Sequence, residues 1–244
     1  MSKIELYPST KELILAAANE FVNTAVESIS QKGSFSVALS GGGTPQPLYE
    51  YLAQNPGCDN VAWDKIHFFW GDERNVLPDH TDSNYNQAFQ TLLKPRQVPV
   101  ENIHRIQGEL EPTIAADFYQ QAILEWFGEG VPQFDLMLLG MGSDGHTASL
   151  FPGTDPVIHP ESYQLIAANY LNQQDTWRIT MMPGLINAAK KVLVLVSGQS
   201  KADSLDKVIN GPYLPELFPI QLIRPNSGVL VWMVDQDAAS LLSN

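Results

Sequence analysis

Residues 134–152 read FDLMLLGMGSDGHTASLFP, and this stretch decides the fold of the chain. It opens with a short apolar run, residues 136–139, which is typical of a parallel strand buried on both faces. Glycines follow the run with an aspartate and a histidine among them, at Gly140, Gly142, Asp144, Gly145 and His146. Glycine lets the backbone adopt positive φ and approach a ligand closely. Because ligands of open parallel sheets bind at the carboxyl ends of the strands, the stretch predicts an α/β active site.

Further strands and helices are predicted on both sides of this stretch from apolar runs and helical periodicity. The strands fall at about 35–39, 66–70, 164–168, 177–182, 191–197 and 228–234, and the helices at about 9–30, 46–54, 84–93, 113–128, 185–190, 198–209 and 235–242. Their alternation predicts an α/β fold with a doubly wound, mostly parallel sheet flanked by helices, as in Rossmann-like proteins. A chain of 244 residues without a long linker is expected to form one catalytic domain, residues 1–244.

Composition and charge exclude several classes of function. The formal net charge of −13 argues against nucleic acid or an anionic membrane surface as a partner. There is neither an apolar run of about 18 residues, as a membrane helix needs, nor an apolar signal core at the N-terminus. The single cysteine, Cys58, cannot form an internal disulfide, and no Cys/His cluster has zinc spacing. We therefore expect a cytoplasmic protein with no metal.

The segment SGGGTP, residues 40–45, links the predicted strand 35–39 to the predicted helix 46–54. Its glycines free backbone N–H groups, and the following helix adds the positive end of its dipole, so the loop suits a phosphate. No Gly-Lys-Ser/Thr follows, and the dinucleotide GxGxxG pattern is absent, so the loop is neither a P-loop nor a dinucleotide fingerprint. A phosphate cradle and an ordinary tight turn both remain open on these residues alone.

Charged residues follow a third predicted strand. Strand 66–70 runs into Gly71, Asp72, Glu73 and Arg74, which are either a solvated turn or part of a site. Because three strand ends carry glycines and charges, we expect all three loops on one rim of the sheet.

Two further cations have sequence contexts that call for an anion. Arg178 lies inside the apolar strand 177–182, and burying an unpaired guanidinium is costly. Lys201 lies in the first turn of a helix, where a cation opposes the helix dipole. Arg178 is therefore expected to meet an anion, either of the protein or of a ligand. Lys201 either faces a bound anion or extends into water.

The motifs together resemble those of the 6-phosphogluconolactonase family. They lie in order over nearly the whole chain: SGGGTP at 40–45, GDER at 71–74, SNY at 83–85, GMGSDGHTASLFPG at 140–153, RIT at 178–180, GQSKA at 198–202 and WMVDQDAA at 232–239. The resemblance implies a sugar-phosphate isomerase-like fold and hydrolysis of 6-phosphoglucono-δ-lactone to 6-phosphogluconate, a step of the oxidative pentose phosphate pathway. It implies no cofactor, because a lactone is an activated ester.

The resemblance extends to glucosamine-6-phosphate deaminases, which share this fold and phosphate site, so the sequence differences between the two groups decide the activity. The deaminase pattern has a catalytic glutamate where this chain has Phe151, and a tyrosine where it has Arg74. Ring opening and isomerisation need that acid–base group, so its absence favours the lactonase. A non-catalytic sugar-phosphate sensor is a third alternative, but it would need a helix-turn-helix and a basic surface, and neither is visible.

The resemblance also implies a division of labour among the site residues. The phosphate is held by Ser40, Gly41, Gly42, Gly43 and Thr44 together with Arg178 and Lys201. His146 serves as general base, since imidazole suits proton abstraction near neutral pH. Arg74 stabilises the oxyanion, and Asp72 and Asp144 orient these groups or bind sugar hydroxyls. Backbone N–H groups around Gly142 and Gly145 complete the oxyanion site. The expected partner is the small-molecule lactone alone, with the chain a monomer or a weak homo-oligomer.

Overall fold

The computed structural model describes residues 2–162 and 164–242. Strands and helices alternate along the chain, and shorter 3₁₀ and π turns lie between them. The strands are β1 (Ser2–Tyr7), β2 (Phe35–Leu39), β3 (Ile66–Trp70), β4 (Asp72–Arg74), β5 (Leu136–Gly140), β6 (Ile166–Leu171), β7 (Thr176–Met181), β8 (Lys191–Val196) and β9 (Val229–Asp235). The helices are α1 (Thr10–Lys32), α2 (Pro45–Gln54), α3 (Asn84–Ala88), α4 (Pro112–Phe127), α5 (Asp155–Ile158), α6 (Pro183–Ala188) and α7 (Ala202–Ile209).

A six-stranded parallel sheet forms the centre of the described residues, with strand order β1-β9-β8-β5-β2-β3. Every residue of β2 is buried, as are the first four of β5, because helices cover both faces of the sheet. The prediction of a mostly parallel α/β sheet flanked by helices is confirmed. The bounds of β2 and β3 agree with the sequence reading to the residue.

Helix α1 shows how local sequence sets an element's ends. Ser9 is the N-cap, and its hydroxyl accepts a hydrogen bond from Lys11 N. At the other end Gly33 adopts φ +85° and its N–H donates to Ile29 O. Between the caps, apolar residues such as Leu13, Ala17 and Phe21 are fully buried against the sheet. None of the helices in the described part of the chain combines the length and apolar character that a membrane span requires.

A second, antiparallel sheet was not foreseen from the sequence. Strand β7 lies between β4 and β6, with Asp72 opposite Thr180 and Arg74 opposite Arg178. The charged residues after β3 therefore form a short strand and not a solvated turn. Their partner strand lies about a hundred residues later in the chain, and three residues alone carry no recognisable strand period.

The two ends of the described chain also differ from expectation. Strand β1 was not predicted, because its side chains are mostly exposed at the edge of the sheet and show no buried face. Residues 236–241 form turns and not the expected closing helix. Asp235 caps the first of these turns, accepting a hydrogen bond from Ala238 N at 2.9 Å.

An aromatic and imidazole cluster packs beside the edge strand β3. The rings of His104 and Phe69 stack with centroids 4.4 Å apart, and His104 Nε2 lies 3.1 Å from His67 Nδ1. Trp126 Nε1 donates to the same His67 nitrogen at 3.1 Å. Burial, together with the neighbouring His67, lowers the pKa of His104 to about 4. The cluster is thus built for neutral imidazoles.

This cluster predicts an acid-dependent loss of stability. His104 takes up a proton in the unfolded chain near pH 6.5 but in the folded chain only near pH 4. The unfolded state therefore binds more protons between these values, and stability falls as pH drops through the window. His104→Phe keeps the stacking and should flatten the slope, measured by urea unfolding at pH 5 and pH 7.5. His159→Asn, at an exposed imidazole, is the control, and an unchanged slope in His104→Phe would contradict this account.

Candidate active site

The candidate site lies at the carboxyl ends of two neighbouring strands of the parallel sheet. β2 and β5 are neighbours, but the chain continues from β2 towards β3 and from β5 towards β8, on the opposite side. The loops that leave their carboxyl ends separate and open a crevice. A cleft of about 410 Å³ occupies this position. Its lining comes from the loops after β2, β5 and β8 and from β4, and consists of Ser40, Gly41, Gly42, Gly43, Thr44, Pro45, Asp72, Arg74, Asn84, Gly140, Met141, Gly142, His146, Ala148, Ser197 and Lys201.

The glycine loop presents the start of α2 to the cleft. Gly42 adopts φ +101°, which the other residue types rarely tolerate. Thr44 is the N-cap of α2, yet among the described residues its hydroxyl makes no capping hydrogen bond. That hydroxyl lies 2.9 Å from Ser197 Oγ, at the end of β8. The first N–H groups of α2 thus have no side-chain cap, and such an end attracts anions.

Asn84 fills the space between the glycine loop and Asp72. A methyl group added at Gly41 would overlap the Asn84 amide, so the loop needs glycine here for close approach. Asn84 Nδ2 donates to Asp72 O at 2.9 Å and to Asp72 Oδ1 at 3.2 Å. Ser149 Oγ donates to Asp72 Oδ2 at 2.7 Å. The Asp72 carboxylate is therefore buried and held in one orientation at the wall of the cleft.

His146 and Asp144 form a pair, with His146 Nδ1 2.5 Å from Asp144 Oδ1. Burial raises the pKa of Asp144, but the hydrogen bond and charge of His146 outweigh it, and the net pKa is lowered. An ionised carboxylate only accepts, so Nδ1 carries the proton of this hydrogen bond, and in the neutral form of the imidazole Nε2 has a free lone pair. One face of the imidazole stacks on Phe151, with ring centroids 4.1 Å apart and planes at 21°. His146 is held by a carboxylate at its edge and an aromatic ring on its face.

The glycines around this pair leave room for neighbouring side chains. A methyl group at Gly142 would overlap the His146 imidazole, and one at Gly145, where φ is +77°, would come within 2.8 Å of Phe218 Cδ1. Gly142 N donates to His146 O at 2.8 Å, and Gly145 N donates to Gly142 O at 3.1 Å. Both N–H groups are therefore used within the loop. The oxyanion-donor role expected of the N–H groups around Gly142 and Gly145 stays a prediction.

Of the two arginines that the sequence placed in the site, only one lines the cleft. Arg74 lines the cleft, whereas Arg178 lines a neighbouring hollow that it shares with Arg74, Gln174 and Thr176. Arg178 Nη2 donates to Gln174 Oε1 at 3.1 Å. Burial first and the charge of Arg74 second lower the pKa of Arg178. Two guanidinium groups thus lie side by side, and only one reaches the cleft.

Glu73 is a buried carboxylate that the sequence reading did not place in the site. Its two oxygens accept hydrogen bonds from Arg74 N, Asn84 N and Tyr85 N, each at 2.8 Å, and from Ser83 Oγ at 3.0 Å. Burial raises its pKa despite these bonds. Glu73 therefore ties β4 to the start of α3 and fixes Arg74 and Asn84 at the cleft.

Most of the predicted site residues come together in the cleft, although their roles stay predictions. Asp144 and Gly145 lie just behind His146 and do not line it, and Arg178 lies in the adjacent hollow. Sequence reasoning missed Asn84 and Ser197 as lining residues. Asn84 belongs to the SNY motif, and this motif could have identified it as a site residue. Ser197 looked like the last residue of an apolar strand, and nothing in the sequence marked it as part of the site.

Comparison with known proteins decides the family. The glucosamine-6-phosphate isomerases/6-phosphogluconolactonase family matches residues 8–232. The chain belongs to this family. A relative in it, the 6-phosphogluconolactonase of Nostoc sp., is 38% identical over 245 residues, which cover 98% of each chain. The resemblance drawn from the motifs is thereby confirmed.

Solved structures of the family share the architecture. The 6-phosphogluconolactonase from Trypanosoma brucei has a TM-score of 0.89 at 28% identity, over 100% of this chain and 99% of that one. A monomeric glucosamine-6-phosphate deaminase reaches a TM-score of 0.83 at 24% identity, over 98% of this chain and 99% of that one. Because the deaminase also has this fold, the fold alone does not distinguish the two activities.

Gly142 gives a direct test of the site. In Gly142→Ala the new methyl group must displace the imidazole or carboxylate of the His146–Asp144 pair, both of which are side-chain atoms that can move. We expect turnover of the substrate to fall by about 10²-fold, as for a 1 Å misplacement of a reacting group, with little change in melting temperature. Gly184→Ala, where a methyl group meets nothing within 4 Å, is the control. Full activity in Gly142→Ala would show that the pair is not used.

Proposed function

We propose that this chain hydrolyses 6-phosphoglucono-δ-lactone to 6-phosphogluconate. One observation carries the proposal: the ring stacked on His146 is Phe151, at the position where a deaminase has its catalytic glutamate. At this position the site therefore has no carboxyl group. His146, supported by Asp144, suffices for hydrolysis of an activated ester, whereas ring opening and isomerisation of a sugar need the glutamate that Phe151 replaces. The lactonase names of the relatives support the same choice.

The phosphate of the substrate is assigned to the end of the cleft formed by residues 40–44 and Lys201. The uncapped N-terminus of α2 and the Lys201 ammonium provide positive charge on two sides of one space. This local positive charge counters a chain whose net charge is −13. Arg178 lies behind Arg74, so a phosphate contact from Arg178 requires its guanidinium to leave Gln174.

The lactone carbonyl is assigned to the other end, beside His146. His146 Nε2 takes a proton from water as the water oxygen attacks C1, and Asp144 stabilises the resulting imidazolium. Arg74 stabilises the oxyanion of the tetrahedral intermediate. The bond between C1 and the ring oxygen then breaks, and the ring oxygen receives the proton from His146. The product is an open-chain carboxylic acid, which loses its proton to solvent and leaves as the carboxylate. Asp72, fixed by Ser149 and Asn84, is placed to accept from a sugar hydroxyl.

The first experiment measures lactone hydrolysis directly. The lactone is generated in situ from glucose 6-phosphate, and its decay is followed against the spontaneous rate for wild type and His146→Asn. We expect wild type to accelerate the decay and the variant to lose the acceleration by at least about 10²-fold, because the general base is removed. Glucosamine 6-phosphate is the control substrate. If the wild type releases ammonia from glucosamine 6-phosphate and does not hydrolyse the lactone, the activity is deamination and the proposal is wrong. If His146→Asn still accelerates lactone decay, His146 is not the general base.

Arg74 and Arg178 form a matched pair for dividing the roles. Arg74→Met is expected to lower kcat by about 10²-fold, the usual cost of removing an oxyanion donor, with product affinity nearly intact. Arg178→Met is expected to raise KM if the phosphate role holds. Steady-state kinetics and titration with 6-phosphogluconate measure both. Equal loss of product binding in Arg74→Met would overturn its assignment, and an unchanged KM in Arg178→Met would remove Arg178 from the phosphate site.

A further inference from the structure

Asp235, at the end of β9, is a buried carboxylate outside the cleft. Its side chain is only 1% exposed. Gly198 N donates to both carboxylate oxygens, at 3.0 Å and 3.1 Å. Thr10 Oγ1 donates to Oδ2 at 2.7 Å, and Ala238 N donates to Oδ1 at 2.9 Å. One carboxylate thus joins the start of α1, the turn after β9 and the loop after β8.

The loop after β8 is the one that carries Lys201 into the cleft. Gly198 adopts φ +87° and begins the 3₁₀ turn Gln199–Lys201. The residue before it, Ser197, lies beside the Thr44 hydroxyl of the glycine loop. The Gly198 amide is therefore the point where this loop is fixed, between a contact to the glycine loop and the lysine. Hydrogen bonds to an ionised acceptor are about twice as strong as neutral ones, so the carboxylate makes this point rigid.

We infer that Asp235 is a positioning residue for the phosphate end of the site. It acts through Gly198 by setting Lys201 relative to the glycine loop, and through Lys201 it makes the enzyme prefer phosphorylated lactones. The inference rests on the proposed function, in that it takes residues 40–44 and Lys201 to hold the phosphate. The Asp235 carboxylate itself is not part of the cleft lining.

A purely structural role makes a different prediction. If Asp235 only tied α1 to the end of β9, its loss would lower stability and affect all substrates alike. If it positions Lys201, its loss must weaken recognition of the phosphate and spare the reaction at the lactone carbonyl. Glucono-δ-lactone has no phosphate. The ratio of activity on 6-phosphogluconolactone to activity on glucono-δ-lactone therefore distinguishes a structural role from the positioning of Lys201.

The chain offers a matched control in Asp135. This carboxylate is also 1% exposed and also accepts several hydrogen bonds, from Ser36 N and Oγ at 2.9 Å and from Lys190 Nζ at 2.9 Å. It precedes β5, at the opposite end of the sheet from the cleft. Asp135→Asn should therefore lower stability without changing the substrate ratio.

The experiment compares wild type, Asp235→Asn and Asp135→Asn, well below their melting temperatures. We expect Asp235→Asn to raise KM for 6-phosphogluconolactone about tenfold, as for the loss of one charge-assisted hydrogen bond. Its kcat/KM for glucono-δ-lactone should stay within about twofold of wild type. Equal loss on both lactones, or a substrate ratio no different from that of Asp135→Asn, overturns the inference.

A second variant and a binding measurement keep the test decisive. Gly198→Ala leaves Asp235 in place but strains the positive φ, with no side-chain overlap, so it should show the same selective loss even if Asp235→Asn does not fold. Calorimetric titration with 6-phosphogluconate and with gluconate gives the comparison without catalysis. A chain that hydrolyses neither lactone overturns the proposed function, whereas equal affinities of Gly198→Ala and wild type for 6-phosphogluconate overturn the role of Asp235.

Discussion

The site depends on the pairing of two buried parallel strands, β2 and β5, whose carboxyl ends lie side by side. Each strand is buried on both faces, so a slip in register would disrupt close packing against the helices on both sides of the sheet. The chain leaves the two strands in opposite directions, and the resulting gap brings the glycine loop to face His146. The other lining residues, from β4 to Lys201, lie around this gap. The chemistry therefore rests on the hydrophobic pairing beneath it.

The parallel sheet and the principal loops could be read from the sequence because their signals are local. An apolar run that ends in glycines marks a buried strand and its ligand-facing end, as at residues 35–45 and 136–146. Contacts between distant segments leave no such local mark. The pairing of β4 with β7, the exposed strand β1 and the displacement of Arg178 from the cleft all depend on partners far along the chain. The same holds for Asn84, whose place is set by Gly41 and Asp72.

A single side chain separates the two reactions that this fold supports. In this shared architecture, our proposal of a lactonase depends on the group that faces the imidazole. Here that group is the Phe151 ring, which stacks on His146 and supplies no proton. The fold provides the common frame, and the proposed reaction follows from the side chains within it. The assignment of activity thus depends on site residues much more than on structural similarity.

The pairing of β1 with β9 has a consequence for synthesis on the ribosome. Strand β1 leaves the exit tunnel long before its sheet neighbour, residues Val229–Asp235. Until β9 follows, β1 has no partner for its backbone groups. Asp235 arrives with that last strand and secures the loop of Lys201 at the same moment. A nascent chain of this protein therefore carries an unpaired strand until β9 has left the tunnel, and an unpaired strand is prone to aggregation.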